Sequence, residues 1–438
     1  MALPLRSNTM ESMILLIFSA FLLFCIFSGA SVLIALAAGL LLFLGYGKYR
    51  GFSAHSLWRM SLSGVQAAHT ILITFLLIGM LTALWRACGT IPFIISVSAG
   101  YIHSGSLLAS IFLLNSLVSL LTGTSFGTAA TVGIISIAIA QSAGTDIYMA
   151  GGAVLSGIYV GDRSSPVSTS ALLVSTLTRT DLYENIKSMA RTAAIPFLSA
   201  LALYAVIGAL SPEKAPELHS AALFDAYFSM HPLCLLPAGA ILCLSLFRVP
   251  VKTTMLASIV LAFFVSLRVQ GMSASETLHA MVFGFVPAEP SIAPLISGGG
   301  ILSMADVACI VCLSSCYAGI FQETGLLDRL KQRIRSFRKR AGRYPAMLAT
   351  SVLAGMVACN QTLTIMLTHQ LCRDGDPDTS YALDLEDSAV VIPPLIPWSI
   401  AGAVPLAAIG APAVSLLFAF FLYLLPLWRL GKNIGTKH

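Results

Sequence analysis

Four acids stand inside or beside strongly apolar runs of this 438-residue chain: Asp162, Glu323, Glu386 and Asp387. A carboxyl group among apolar neighbours is costly unless it holds a cation, a proton or a counter-charge, so each is a candidate for ion binding or proton exchange. Asp162 lies in the polar segment Tyr159-Val160-Gly161-Asp162-Arg163-Ser164-Ser165-Pro166-Val167-Ser168, where Ser165, Ser168 and the next residue, Thr169, add hydroxyl oxygens. A second polar segment, Thr122-Gly123-Thr124-Ser125-Phe126-Gly127-Thr128, interrupts an apolar run. Hard cations such as sodium favour oxygen ligands, so Thr124, Ser125 and Asp162 are the expected Na⁺ ligands, with Thr122 beside them. Asn360 and Thr362 mark a third interruption, and Glu386, Asp387 and Ser388 lead into the proline-rich turn that holds Trp398. These residues form the candidate substrate and ion site, and the chemistry asks for no cofactor beyond Na⁺ as a coupling ion.

Each candidate also has a plainer reading. Arg163 follows Asp162, so an ion pair that holds the segment shut competes with coordination or proton exchange. Glu386 and Asp387 fit equally a solvated arm leading in from an outer loop. His69 reads as a hydrogen-bonded packing residue rather than a proton carrier. Gly123-Thr124-Ser125-Phe126-Gly127 matches the G-x-S-x-G pattern of serine hydrolases, but that turn needs a strand before it, and here the run is helical. Cys309, Cys312 and Cys316 share a helical face, yet with no histidine nearby in sequence they read as small apolar residues.

Positioning such groups requires a membrane framework. The chain is 57% hydrophobic and 10% charged, with a mean hydropathy of +0.87, which excludes a soluble enzyme and assigns an all-α polytopic membrane protein. Apolar runs place spans at 13–28, 31–46, 66–86, 106–141 (broken) and 190–210, then at 232–247, 253–268, 303–325, 345–372 (broken) and 411–428. Residues 13–28 are kept as a span rather than a signal peptide because the chain turns apolar again at once. Polar breaks at membrane depth leave backbone groups to be satisfied by protein, water or ions, which is why they mark binding sites.

The two series echo each other: a break at Thr122 and another at Cys359-Asn360-Gln361-Thr362, a re-entrant hairpin at Asp162 and another over 381–409. Gly51 to Gln66 and Gly271 to Phe285 read as interfacial helices. Five spans per copy puts the second copy upside down, giving two inverted repeats, 1–211 and 232–438, joined by an external connector, 212–231. The charges agree. Lys48, Arg50 and Arg59, then Arg179, Lys187 and Arg191, then Arg248 and Lys252, then the cluster Arg329, Lys331, Arg333, Arg335, Arg338, Lys339, Arg340 and Arg343, all fall on one side, with Lys432 and Lys437 in the tail. Residues 87–105 carry only positions without lysine or arginine by this assignment of loops, residues 269–302 carry none, and the connector carries Lys214 against three acids. Both termini are therefore expected in the cytoplasm. The basic cluster then reads as a cytoplasmic loop rather than a nucleic-acid site, and lipid and a small ion or solute are the expected partners.

The Thr122 to Thr128 break, Gly161-Asp162-Arg163-Ser164-Ser165-Pro166, and Leu385-Glu386-Asp387-Ser388 followed by Pro394-Leu395-Ile396-Pro397-Trp398 resemble the NhaC-type sodium/proton antiporter family over nearly the whole chain. The resemblance implies an ion-coupled secondary transporter of the inner membrane, built from inverted repeats with re-entrant hairpins, in a superfamily that includes malate/lactate exchangers and many homodimers with elevator motion. Two departures stand out: Thr169 and Asn360 occupy places where the family usually has acids. A carrier of a small organic solute on the same fold is the alternative, and a passive channel the rival of another class.

Overall fold

The computed structural model of the protein describes residues 10–28, 31–98, 104–166, 168–210, 224–247, 249–290, 292–324, 328–373 and 378–435. Residues 212–223, Arg248, Ser291 and Lys437 lie outside the described residues, as do the side chains of Glu323, Arg329, Lys331, Arg333 and Arg335. The described chain is almost entirely helical, with one isolated bridge between Phe285 and Gly298.

Helices α1 (Met10–Phe27) and α2 (Val32–Tyr49) precede α3 (Ala54–Ala87) and α4 (Thr90–Ser98). Ser31 and Ser53 start α2 and α3 by accepting hydrogen bonds from Leu33 N and Ser56 N, which satisfies amides that have no partner within the helix. The expected division of 51–86 into a surface helix and a span does not occur: α3 runs unbroken for 34 residues. No proline interrupts it. Its Gly64 instead serves packing, since a Cβ there would lie 1.9 Å from the Ser315 carbonyl oxygen.

Next come α5 (Ser104–Thr122) and α6 (125–142), separated by a two-residue break, with a π turn over Ala129–Gly133 inside α6. Helices α7 (Ile147–Ser164) and α8 (Thr169–Thr178) follow each other closely in sequence, and the long α9 (Leu182–Leu210) comes next. The turn after Asp162 is tighter than expected. Tyr159 through Ser164 remain helical, and Ser168 caps α8 by accepting from Ser170 N and Ala171 N. α5 packs along α7, and the small residues Gly157 and Gly161 permit it: a Cβ on Gly161 would stand 2.0 Å from the Ser119 carbonyl carbon.

The remaining helices are α10 (Leu236–Leu246), α11 (Val251–Arg268), α12 (Ala274–Phe283), α13 (Ala305–Thr324), α14 (Asp328–Ala341), α15 (Arg343–Ala358), α16 (Gln361–Cys372), α17 (379–390), α18 (Ile400–Ile409) and α19 (Phe420–Gly435). A capping box starts α12: Ser273 accepts from Glu276 N while the Glu276 carboxylate accepts from Ser273 N, which holds that exposed carboxyl below its usual range. The last span was expected at 411–428, whereas α19 begins at Phe420. Ala413–Phe418 winds as a tight 3₁₀ turn because it seats on Gly151 and Gly152 of α7, where added Cβ atoms would meet Ser415 Oγ at 2.6 Å and the Phe418 carbonyl carbon at 2.5 Å. By length and apolarity, Gly105–Thr122 and Leu182–Leu210 can each cross a membrane, and Thr379–Leu395 with Ile400–Ile409 can do so as a pair bent by 54°.

Candidate functional site

The two helix breaks have the same local geometry although their residues differ. α5 ends on Gly123 at φ 67°, and α15 ends on Cys359 at φ 54°, both left-handed. Each is followed by an extended cap residue, Thr124 (φ −143°, ψ 124°) and Asn360 (φ −149°, ψ 135°), whose side chain accepts from a backbone amide of the next helix, Gly127 N and Leu363 N. The first helical residues after the caps are Ser125 and Gln361. A left-handed backbone suits glycine and strains cysteine, so the second break is held by its surroundings, including a hydrogen bond from Ile400 N to Cys359 O.

Asp162 joins these two starting points. Its Oδ1 accepts from Ser125 N and Ser125 Oγ, both at 3.3 Å. Its Oδ2 accepts from Gln361 Nε2 at 2.9 Å and from Ser170 Oγ at 3.2 Å. The four contacts fill the acceptor capacity of a carboxylate, and they bring α7, α8, α6 and α16 to one point. Both half-helix N-termini, the positive ends of their dipoles, lie at this carboxyl. Gln361 Nε2 also donates to Val390 O at 2.9 Å, which ties the cluster to α17. The orphan carbonyls of the breaks are met by protein: Ser165 Oγ donates to Leu120 O at 2.7 Å, and Ser168 Oγ donates to Asp162 O.

Arg163 does not pair with Asp162. Its guanidinium crosses to Asp387, with both side chains fully buried, and also donates to Thr192 Oγ1, Met189 O and Ser164 Oγ. The expected ion pair exists in a different form, then, joining α7 to α17. From Asp387 a series of charges leads outward: Arg429 Nε at 3.8 Å, Asp384 held by Arg429 at 2.7 Å and by Arg343 at 2.7 Å, then Asp378 at 3.6 Å, which is 65% exposed. Glu386 is fully buried beside this series, and neither of its carboxyl oxygens has a hydrogen-bond partner among the described residues. A solvated arm at 386–387 is therefore not what the fold builds.

The other candidates take lesser places. Thr122 Oγ1 meets Thr128 Oγ1 at 3.0 Å, and Thr124 is spent on its cap. Ser388 bonds its own helix at Asp384 O, and Trp398 Nε1 donates to Met356 O, fixing the turn before α18. Thr169 and Thr362 are exposed, and His69 is exposed too. Gln361 and Ser170 were not singled out from the sequence. The helix start after the second break, aligned with Ser125 after the first, is the one sequence signal that could have found Gln361. A cleft of about 830 Å³ lined by Tyr227, Gln270, Glu276, His279 and Glu289 shares no residue with this cluster.

Comparison with known proteins fits this arrangement. A sequence model of the Na⁺/H⁺ antiporter family matches residues 157–431, which span Asp162, Gln361 and Glu386. The chain is 26% identical to the Na⁺/H⁺ antiporter NhaC of Alkalihalophilus pseudofirmus, over 92% of this chain and 91% of that one. It is 24% identical to the malate-2H⁺/Na⁺-lactate antiporter of Bacillus subtilis, over 80% and 76%. It is 27% identical to the arginine/ornithine antiporter ArcD of Halobacterium salinarum, over 84% and 78%. The chain belongs to the Na⁺/H⁺ antiporter family and is an ion-coupled secondary transporter of the membrane.

Proposed function

We propose that the protein exchanges Na⁺ against H⁺ across the inner membrane, through a site formed where both helix breaks meet the α7–α8 and α17–α18 turns. The observation that carries this reading is the charge balance of the centre. Four buried carboxyls, Asp162, Asp384, Glu386 and Asp387, stand against three guanidiniums, those of Arg163, Arg429 and Arg343. A dry interior with surplus carboxyls is complementary to cations and protons, and the neutral residues at Thr169 and Asn360 do not remove that surplus. Thr124, Ser125 and Asp162 remain the proposed Na⁺ ligands, with Gln361 and Ser170 holding Asp162 until the ion arrives.

Two inverted repeats account for the matched breaks: α5 and α6 would correspond to α15 and α16, and the α7–α8 turn to the α17–α18 turn, with both termini in the cytoplasm. In this reading the elements around Asp162 move as one body against α1–α3 and α13, an elevator, with dimerisation through the stationary part. The second reading, exchange of a small organic solute with ion coupling, is favoured by the lactate and arginine/ornithine relatives.

Proteoliposomes carrying a pH-sensitive dye test the proposal. Added Na⁺ is expected to move protons in the wild type, and Asp162→Asn to reduce the rate by more than about tenfold while the folded yield survives. Proton movement that needs an organic acid or amino acid, with Na⁺ alone inert, would replace the first reading by the second.

A further inference from the structure

Helix α14 gathers positive charge within a short stretch. Its fourteen residues hold Arg329, Lys331, Arg333, Arg335, Arg338, Lys339 and Arg340 against the single acid Asp328. Apolar residues recur at 330, 334, 337 and 341, one register of a helix, and basic residues at 329, 333 and 340 occupy the register beside it. A narrow apolar stripe with a basic remainder is the pattern of a helix that lies at the boundary between hydrocarbon and an anionic surface.

Part of α14 is spent inside the protein. Ile334 is buried in a cluster with Val174 of α8, Met347 of α15, Leu371 and Cys372 of α16, and Tyr381 of α17. Arg338 also turns inward, and its Nη1 donates to Cys372 O at 2.9 Å, which pins α14 to the end of α16. The rest points away: Phe337 is 45% exposed, and Lys339 and Arg340 are exposed. Only Gly342, at φ 100°, separates α14 from α15, whose Val352 and Leu353 are exposed apolar residues farther along. With α15 in the bilayer, the last turn of α14 stands at the level of the headgroups.

We propose that α14 is a docking site for the anionic headgroups of membrane phospholipids, with Lys339 and Arg340 meeting the phosphates and Phe337 reaching the acyl boundary. Charge and position together select this occupant. A lysine or arginine near an anionic surface strengthens attraction by about fivefold, whereas a zwitterionic headgroup offers no net charge to meet it. Docking bears on the site as well, because α8 and α16, which share the Ile334 cluster, carry the Asp162 donors Ser170 and Gln361. Lipid on α14 would steady the helices that frame that carboxyl. The inference holds whichever ion or solute is carried.

The test uses the full-length protein, stripped of lipid in detergent and mixed with equal amounts of dioleoylphosphatidylglycerol and dioleoylphosphatidylcholine. Native mass spectrometry is expected to show phosphatidylglycerol retained in at least about tenfold excess, falling below about threefold in the double variant Lys339→Gln with Arg340→Gln. Lys187→Gln with Arg191→Gln, at exposed positions of α9, should leave the excess within about twofold of wild type. Phosphatidylglycerol should also raise the thermal midpoint of the wild type and not of the α14 double variant. Equal retention of the two lipids by the wild type, an undiminished excess in the α14 variant, or an equal loss in the α9 variant would overturn the proposal. Displacement of phosphatidylglycerol by about 10 mM inorganic phosphate would overturn it too, by making the face a site for free anions. A dimer mass lost in the α14 variant with its phosphatidylglycerol unchanged would assign the face to a second copy instead. Should that variant not fold, salt decides on the wild type: about 0.5 M KCl should abolish the excess, and an excess that survives it refutes the electrostatic docking.

Discussion

Arg163 and Asp387 hold the α7–α8 turn against α17, and cutting that link should reveal itself in stability before transport is measured. Arg163→Gln leaves a fully buried Asp387 with Arg429 Nε at 3.8 Å as its nearest cation. Breaking a buried pair by removing one partner costs about 3–5 kcal/mol, because the remaining charge has lost both water and its partner. Asp387→Asn should cost a similar amount, since the Arg163 guanidinium keeps Thr192, Met189 and Ser164 but no carboxylate. The double substitution neutralises both ends and should be no worse than either single change, giving a coupling of about 3 kcal/mol. Thermal unfolding in detergent with a thiol-reactive dye reads this directly, because Cys25, Cys88, Cys234, Cys359 and Cys372 are buried and react on unfolding. At about 2 cal/mol/K per residue, each kcal/mol shifts the midpoint of a chain this long by roughly 1 °C, so the singles should fall by about 3–5 °C. Losses in the double variant equal to the sum of the singles would refute the pairing.

Gly161→Ala should disrupt the contact of α7 with α5, since its Cβ would meet the Ser119 backbone at 2.0 Å; a loss of about 1–3 kcal/mol and reduced transport are expected in the same dye assay. Asn360→Asp preserves a good cap and adds charge at the second break, so the Na⁺ response in proteoliposomes should strengthen, whereas Thr169→Asp, at an exposed position, should leave it unchanged. Equal effects of the two would contradict the placement of Thr169 outside the cluster. With the exposed Cys243 and Cys309 replaced, a cysteine at Ser336 should be labelled only from the cytoplasm and one at Ser297 only from outside. Labelling of both from one side would break the proposed inversion.

Much of the framework was legible in the order of residues. Apolar runs, the glycine and asparagine at helix breaks, and prolines after Asp387 are local signals, since a left-handed turn, an N-cap or a missing amide acts on its immediate neighbours. Asp162, Glu386 and Asp387 stood out for the same reason, as acids among apolar residues. Partnership was not legible. The bond from Gln361 to Asp162 spans 199 positions and that from Arg163 to Asp387 spans 224, and nothing in either segment names the other. Glutamine at residue 361 looks like an ordinary polar residue until the matching starts of α6 and α16 place it opposite Ser125. The continuous course of α3 and the late start of α19 were likewise decided by close backbone packing, at Gly64 against Ser315 and at Gly151 and Gly152 against 413–418. Local chemistry determined which groups could bind an ion. Tertiary packing decided which carboxyl is saturated with donors and which stands open, because that depends on the hydrogen bonds that distant segments bring to each.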